Sequence, residues 1–198
     1  MRFPQKTYHK KSDEALMLLI CQGDGAAFNI LYKRYKDRLY YYFYRMLGNS
    51  ETLAEDFLQD IFYKIIHKPE LYEIKRPFST WIFSIANNMC KNEYRRKAVR
   101  ESSKHEMVFE TEENPVFENG EGPKVTELIF KMLQTLSEEH RSCFLLYYRE
   151  EFSVEHIATM LEISPGTVKS RLFNARKKMR EKLEKAYPEM IKEVRYEF

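Results

Sequence analysis

The sequence predicts an all-α protein built of two small helical domains that are joined by a flexible acidic linker. Apolar residues recur at spacings of three and four along most of the chain, which is the period of helices that bury one face. Glycine is scarce, with 6 among 198 residues, and the long β-branched runs typical of strands are absent. The 14 Tyr and 14 Phe provide enough large side chains for well-filled cores.

Charge divides the chain into three segments. Residues 1–97 carry a net charge of +6 and residues 123–198 carry +2, whereas residues 98–122 carry −5. The acidic segment shows no apolar period and contains the turn-forming pairs Asn–Pro, Asn–Gly and Gly–Pro. Such a composition buries too little apolar surface to fold by itself, so this segment is predicted to be the flexible linker between the two domains.

The N-terminal segment predicts two consecutive helices, over residues 13–22 and 26–47. The second is rich in aromatic residues that keep the helical period. Its tyrosines at positions 40–44 could stack on nucleic-acid bases, but packing against neighbouring helices is the expected role. The sequence Gly-Asn-Ser at positions 48–50 ends this helix and caps the one that follows.

The next predicted helix, over residues 50–68, carries a cluster of acidic and amide side chains. Its predicted buried face consists of Leu53, Phe57, Ile61, Ile65 and, at its edge, Leu58. The opposite side carries Glu55, Asp56, Gln59 and Asp60. Two carboxylates one turn apart suit a divalent cation, an ordinary solvated face or a basic protein partner. Metal catalysis is not expected, because no further ligand spacing and no candidate nucleophile accompany them.

A basic helix is predicted over residues 78–97. Its predicted buried side includes Trp81 (or Ile82), Ile85 and Met89. The other side and the C-terminal end present Asn87, Asn88, Lys91, Asn92, Tyr94, Arg95, Arg96 and Lys97. Cations that hold phosphates beside aromatic and amide groups suit a strand of exposed bases. A helix whose C-terminal charges complement its dipole explains the same residues equally well, so both interpretations stay open here.

Residues 153–180 predict a helix-turn-helix. An apolar stripe of Val154, Ile157, Ala158 and Leu161 marks the first helix. Ser164 suits an N-cap and Pro165 the first position of the second helix. The second helix is predicted to bury Val168, Leu172, Ala175 and Met179.

The exposed side of this second helix is strongly basic. Between positions 165 and 185 the chain contains eight Lys or Arg against two Glu. The residues left to face away from the core are Thr167, Lys169, Ser170, Arg171, Phe173, Asn174 and Arg176. A solvated amphipathic helix is the simplest alternative. Because the cap, the preceding helix and the basic face coincide, binding to duplex DNA is favoured.

Several classes of protein are not supported by the sequence. The chain contains an odd number of cysteines, which are widely spaced: Cys21, Cys90 and Cys143. This pattern favours reduced thiols in a cytoplasmic protein over disulfides or a zinc site. The apolar run at residues 15–20 is too short to span a bilayer, and no signal segment is found. No metal and no cofactor are predicted.

Taken together, three stretches resemble the extracytoplasmic-function group of bacterial sigma-70 factors. They are AEDFLQDIFYKII, FSTWIFSIANNMCKNEYRRK and, after the acidic linker, LSEEHRSCFLLYYREEFSVEHIATMLEISPGTVKSRLFNARKKMR. The resemblance covers roughly residues 13–185, and its order across two domains is more specific than any one motif. It implies sigma region 2 over 10–97, the linker over 98–122, region 4 over 123–186 and a C-terminal tail over 187–198.

The resemblance also implies a role for each group of residues. Docking on core RNA polymerase falls to Glu55, Asp56, Gln59 and Asp60. Recognition and melting of the −10 promoter element falls to residues 70–77 together with Trp81, Asn87, Asn88, Lys91, Tyr94, Arg95 and Arg96. Recognition of the −35 element falls to Thr167, Lys169, Ser170, Arg171, Phe173 and Arg176. Trp81 and Asn88 match the usual family residues, whereas Asn92 stands where relatives often have Asp and receives no role.

The implied function is that of an alternative sigma factor, which binds core polymerase and promoter DNA and catalyses no reaction of its own. The resemblance further implies an anti-sigma factor as a partner. Two other classes remain open at this stage. A stand-alone helix-turn-helix regulator would need a sensing domain that residues 1–97 do not show, and an enzyme acting on nucleic acid would depend only on Glu55, Asp56 and Asp60.

Overall fold

The computed structural model describes residues 5–103 and 125–186, and all regular structure in these two ranges is helical. The first helical group comprises α1 (Asp13–Cys21), α2 (Gly25–Met46), α3 (Glu51–His67) and α4 (Phe78–Ser103), with 3-10 turns at Gln5–Lys10 and Pro69–Leu71. The second helical group comprises α5 (Val125–Gln134), α6 (Glu138–Phe144), a π-helical turn at Leu145–Arg149, α7 (Val154–Leu161) and α8 (Pro165–Ala186). The predicted all-α class is therefore confirmed.

The predicted linker and tail lie largely outside the described residues. The structure describes neither positions 104–122 of the linker nor the tail at 187–198. The first six positions of the predicted linker, 98–103, are helical because α4 continues to Ser103. Among the residues described, no helix is both long enough and apolar enough to cross a membrane.

The helices of the first group begin at side-chain caps that the local sequence provides. Ser12 accepts a hydrogen bond from the backbone N–H of Ala15, and Ser50 accepts one from Leu53. Asp24 accepts two at the start of α2, from the N–H groups of Ala26 and Ala27 at 2.9 and 3.1 Å. Each cap satisfies donors that the first turn of a helix leaves without an intrahelical partner.

The core of the first group forms around α2, and its details differ from the predicted faces. On α3, Ile61 and Ile65 are buried as predicted, but Ala54 and Phe62 complete the face while Leu53, Phe57 and Leu58 are only half-buried. On α4, Ile82 is buried and Trp81 is half-buried against Tyr72 and Phe78. Both helices are packed on more than one side, so the apolar period alone does not fix their orientation.

The predicted helix-turn-helix is present. Ile157 and Ala158 on α7 are buried, as are Val168, Leu172 and Ala175 on α8. Glu162 ends α7 in a left-handed conformation with φ 56°. Ser164 caps α8 by accepting the N–H of Thr167 at 3.0 Å, and Pro165 occupies its first position as expected.

The two helical groups share one continuous core. The helix α4 lies against α7, and the rings of Phe83 and Phe152 meet across the boundary at 5.4 Å. The Ser84 hydroxyl donates to the carbonyl of Met160 at 3.1 Å. The groups are therefore packed together in addition to being joined by the chain, an arrangement that the apolar periods did not predict.

Candidate binding surfaces

The four predicted docking residues of α3 all lie on its exposed side. Glu55, Asp56, Gln59 and Asp60 face away from the core. Beside them runs a groove of about 530 Å³ between α2 and α3. The groove is lined by Tyr32, Lys36, Asp37, Tyr40, Glu55, Leu58, Gln59, Phe62, Tyr63 and Ile66. An apolar strip bordered by polar and acidic side chains is typical of a protein–protein contact surface.

Two apolar side chains make this surface more distinctive than its charge alone. Tyr63 is 61% exposed and Ile66 is 48% exposed, both at the groove. The sequence analysis did not single them out. The sequence could have indicated their exposure, because both are large apolar residues that lie outside the buried stripe of Ile61 and Ile65. Among the residues that the structure describes, no cluster of three or more His, Cys, Asp or Glu has the arrangement of a metal site.

The turn between α3 and α4 is fixed by contacts on its core side and leaves two apolar side chains exposed to solvent. The Tyr72 ring packs on Phe78, and its hydroxyl donates to the carbonyl of Arg76 at 2.7 Å. Glu14 accepts the backbone N–H of Phe78 at 3.0 Å, and this hydrogen bond lowers the pKa of Glu14. The exposed apolar residues of the turn, which sequence reasoning also missed individually, are Leu71 and Ile74.

The predicted −10 residues of α4 divide between two sides of the helix. Asn88, Lys91, Arg95 and Arg96 are exposed, and the first three follow at spacings of three and four, so they share one face. A basic and amide-bearing surface of this kind can hold the phosphates of a single strand and contact its bases. Trp81 lies half-buried at the start of the helix, next to the turn described above.

Asn87 and Tyr94, in contrast, are directed toward the second helical group. The Asn87 carbonyl oxygen accepts hydrogen bonds from Ser142 at 2.8 Å and from Tyr42 at 3.2 Å. The Tyr94 hydroxyl donates to the carbonyl of Met46, and burial raises the pKa of this phenol to about 12. Both side chains are half-buried, and their contact with promoter DNA stays a prediction.

The predicted −35 residues lie on α8. Lys169, Ser170, Phe173 and Arg176 are exposed, and 60% of Phe173 is open to solvent although it is a large apolar residue. A lone exposed aromatic ring between cations suits apolar contact with a thymine methyl group in the major groove. Thr167 is half-buried and shares a hydrogen bond with the hydroxyl of the capping Ser164.

Arg171 is the exception on α8. Only 19% of its side chain is exposed, and it forms an ion pair of 2.9 Å with Glu139 of α6. Its guanidinium group also lowers the pKa of the Cys143 thiol, against a larger increase caused by burial. Sequence reasoning missed Glu139, because nothing in the local pattern links α6 to the reading helix.

Comparison with known proteins gives family matches in two separate segments of the chain. The family description for Sigma-70 region 2 matches residues 31–100, and that for Sigma-70 region 4 matches residues 126–179. The chain is similar to the ECF RNA polymerase sigma factor SigW of Bacillus subtilis, with 30% identity over 172 residues, which cover 82% of this chain and 91% of the relative. It is also similar to the ECF RNA polymerase sigma-E factor of Haemophilus influenzae, with 26% identity over 187 residues, covering 87% and 96%.

Two solved structures share the fold. CnrH in complex with the cytosolic domain of CnrY superimposes with a TM-score of 0.66 at 23% identity, over 89% of this chain and 99% of that one. The sigma factor RpoE in complex with the anti-sigma factor NepR from Bartonella quintana gives a TM-score of 0.65 at 23% identity, over 79% and 96%.

The two matched regions and the helix-turn-helix define the class, a sigma-70 protein that contains regions 2 and 4. The chain belongs to the extracytoplasmic-function group of RNA polymerase sigma factors. It is therefore an alternative sigma factor, and it directs promoter-specific initiation of transcription.

Proposed function

We propose that this sigma factor docks on core RNA polymerase through α3 and the adjoining groove, reads the −10 element with α4 and the turn before it, and reads the −35 element with α8. The observation that carries the proposal is the placement of charge. The acidic, groove-flanked face of α3 is separate from the basic faces of α4 and α8. A basic protein partner and a nucleic acid can therefore be bound at the same time.

The docking proposal depends on shape as well as charge. Carboxylates and an amide at positions 55–60 border a groove that Tyr63 and Ile66 make apolar. A partner with basic side chains around an apolar ridge would pair with both features. Exposed charge pairs guide such a partner into register, and the apolar groove supplies surface that loses its contact with water.

The −10 proposal rests on the exposed turn and helix. A base taken out of a duplex loses its stacking, which costs a few kcal/mol, so a receiving surface must return that energy. Leu71 and Ile74 offer apolar surface next to the half-buried Trp81. Asn88, Lys91 and Arg95 continue from there along α4 with amide and cationic groups for bases and phosphates.

The factor would act by binding alone, with no reaction and no cofactor of its own. Its place of action would be the cytoplasm, where bacterial RNA polymerase works. We also propose an anti-sigma factor as a regulatory partner. The support is that a solved sigma factor of the same fold is held by one.

Reconstitution tests the proposed function directly. The chain is combined with core RNA polymerase of Bacillus subtilis on a library of random promoter sequences, and RNA 5′ ends are sequenced. We expect initiation at a shared pair of sequence elements that neither the core nor the chain uses alone. Binding to core without such transcription would contradict the proposal. Tight binding of the chain alone to one duplex site would favour a stand-alone regulator.

Lys169→Ala is expected to weaken binding of the reconstituted holoenzyme to such a promoter by about 3- to 10-fold. The slope of log affinity against log salt concentration should fall in magnitude by about one, because one phosphate contact is lost. Fluorescence anisotropy between 50 and 200 mM salt measures both effects. Arg171→Ala should weaken binding further, because it also leaves the Glu139 carboxylate unpaired beside the DNA. Lys10→Ala, on an exposed turn of the first group, is the control. An unchanged slope in Lys169→Ala would refute the −35 assignment.

A further inference from the structure

The turn between α3 and α4 carries the apolar surface that is proposed to receive a base of the −10 element. Leu71 and Ile74 are each 55% exposed, and residues 73–77 all face solvent. A surface that accepts a base taken out of a duplex binds it more tightly when the surface is already ordered before the base arrives. The contacts that order this turn therefore bear on promoter recognition.

The residue just before α4 cannot provide a side-chain cap for the helix. Pro77 occupies the cap position, since its carbonyl accepts the first hydrogen bond of the helix, from the N–H of Trp81 at 3.1 Å. A proline side chain has no polar atom, so it cannot accept a hydrogen bond from the N–H groups that the first turn leaves without an intrahelical partner. An acceptor for the N–H of Phe78 must come from another part of the fold.

Glu14 of α1 provides that acceptor, from 64 positions earlier in the chain. Its Oε1 atom accepts the N–H of Phe78 at 3.0 Å. Glu14 also lies in the first turn of α1, so one carboxylate lies at the N-terminal ends of two helices, where each dipole favours a negative charge. The hydrogen bond to Phe78 holds the pKa of Glu14 below its ordinary value, so the carboxylate is charged at neutral pH.

The helix that carries Glu14 is itself fixed on the long helix α2. The Asp13 carboxylate accepts hydrogen bonds from the Arg34 guanidinium and from the Tyr35 hydroxyl. The Tyr35 ring in turn packs edge-on against Phe78, with the ring centroids 5.0 Å apart. Glu14 is therefore held at a defined position beside the start of α4.

Two aromatic side chains connect the start of α4 with the turn. Tyr72 is buried, and its hydroxyl donates to the carbonyl of Arg76 at 2.7 Å. The Tyr72 ring packs against Phe78 and Trp81, with centroid distances of 5.6 and 5.2 Å. A displacement of Phe78 would therefore move Tyr72, and with it the exposed side chains of the turn.

We propose that Glu14 is a positioning residue for promoter recognition, which fixes the turn at residues 71–77 and the adjoining Trp81 by holding the start of α4. The inference rests on the proposed function, in which this turn reads the −10 element. Glu14 acts by ordering the reading surface, without touching a base itself. Its loss should weaken discrimination between −10 sequences and leave binding to core polymerase unchanged.

Tryptophan fluorescence of the free chain tests the positioning without polymerase or DNA. Trp81 is the one tryptophan of the chain, so its emission reports on this region alone. Glu14→Ala should shift the emission to longer wavelength and increase quenching by acrylamide about 1.5- to 3-fold, because a loosened turn exposes the half-buried indole. Glu14→Gln keeps an acceptor oxygen and should recover more than half of the original signal.

Glu51→Ala is the matched control, since it also removes a carboxylate from the first turn of a helix in the first group, at an exposed position of α3. It should leave the emission and the quenching unchanged. Tyr72→Phe is a second variant that leaves Glu14 intact and removes only the hydroxyl bond to the Arg76 carbonyl. It should increase quenching with no change in helix content by circular dichroism. The positioning role is wrong if neither Glu14→Ala nor Tyr72→Phe changes the Trp81 signal.

Promoter selection by the reconstituted holoenzyme tests the consequence for recognition. Each variant is transcribed on the library of random promoter sequences, and base frequencies in the −10 and −35 elements are compared. Glu14→Ala should reduce initiation by about 3- to 10-fold and broaden the base preference in the −10 element alone, because the reading surface is no longer preorganised. Glu14→Gln should largely restore that preference, and Glu51→Ala should match the original chain.

Ile74→Ala separates a failure of this inference from a failure of the proposed function. The substitution removes apolar surface from the proposed reader itself, so it should also broaden the −10 preference. If Ile74→Ala has this effect and Glu14→Ala does not, the positioning role is wrong while the −10 assignment of the turn stands. If neither variant has it, or if no promoter-specific transcription is obtained, the proposed function fails, and Trp81 fluorescence still decides whether Glu14 orders the turn.

Discussion

Asp56→Arg combined with Asp60→Arg is expected to abolish binding to core RNA polymerase while both helical groups stay folded. Both side chains are exposed on α3, so their replacement disturbs no buried contact. Placing like charges opposite one another across an interface costs several kcal/mol. A cost of about 2.7 kcal/mol already corresponds to a 100-fold loss of affinity. We therefore expect a dissociation constant that is at least 100-fold larger, and no initiation at any promoter.

Biolayer interferometry on immobilised core measures this loss, and circular dichroism verifies the helix content. Glu155→Arg with Glu181→Arg serves as the control, because it makes the same charge change at exposed positions of the second group. That control should retain core affinity within about twofold. An Asp56→Arg and Asp60→Arg variant with unchanged affinity would show that core polymerase docks elsewhere.

Arg141→Ala is expected to cause the largest loss of stability, about 3–5 kcal/mol in the free energy of unfolding. The guanidinium is buried, and its removal leaves the carbonyls of Leu133, Leu136 and Met46 short of a charged donor. A hydrogen bond to a charged group contributes about 1.5–3 kcal/mol, and several such bonds are lost together. Their losses are not additive, which is why the expected total stays below the simple sum.

Urea unfolding followed by circular dichroism measures this change. Arg141→Lys should recover only part of the loss, since an ammonium has three donors and cannot reproduce the planar guanidinium geometry. Arg180→Ala, which removes an exposed pair with Glu184, should change the free energy of unfolding by less than about 0.5 kcal/mol. A loss below about 1 kcal/mol in Arg141→Ala would mean that water replaces the guanidinium at these carbonyls.

The features that sequence predicted well are encoded over a few neighbouring residues. The cap at Ser164, the first-turn proline and the stripe of Val168, Leu172 and Ala175 all depend on contacts within one or two helical turns. The exposed acidic face of α3 was found for the same reason, since residues one turn apart must share a side of a helix.

The features that sequence reasoning missed depend on residues that are far apart in the chain. Asn87 and Ser142 are separated by 55 positions, and Arg38 and Glu150 by 112. A polar residue that is buried at the boundary has the same local pattern as one that faces solvent. The direction of Asn87 and Tyr94, and the pairing of Arg171 with Glu139, therefore required the tertiary structure.

The two sides of α4 have a consequence for how promoter preference can evolve. Asn88 and Arg95 face solvent, so substitutions there can change the DNA sequence that is preferred without disturbing the packing between the helical groups. A substitution at Asn87 removes an acceptor for Ser142 and Tyr42, so it would also weaken the packing of the two helical groups and lower stability. Divergence of regulons among relatives with this arrangement should therefore accumulate on the solvent side of the helix first.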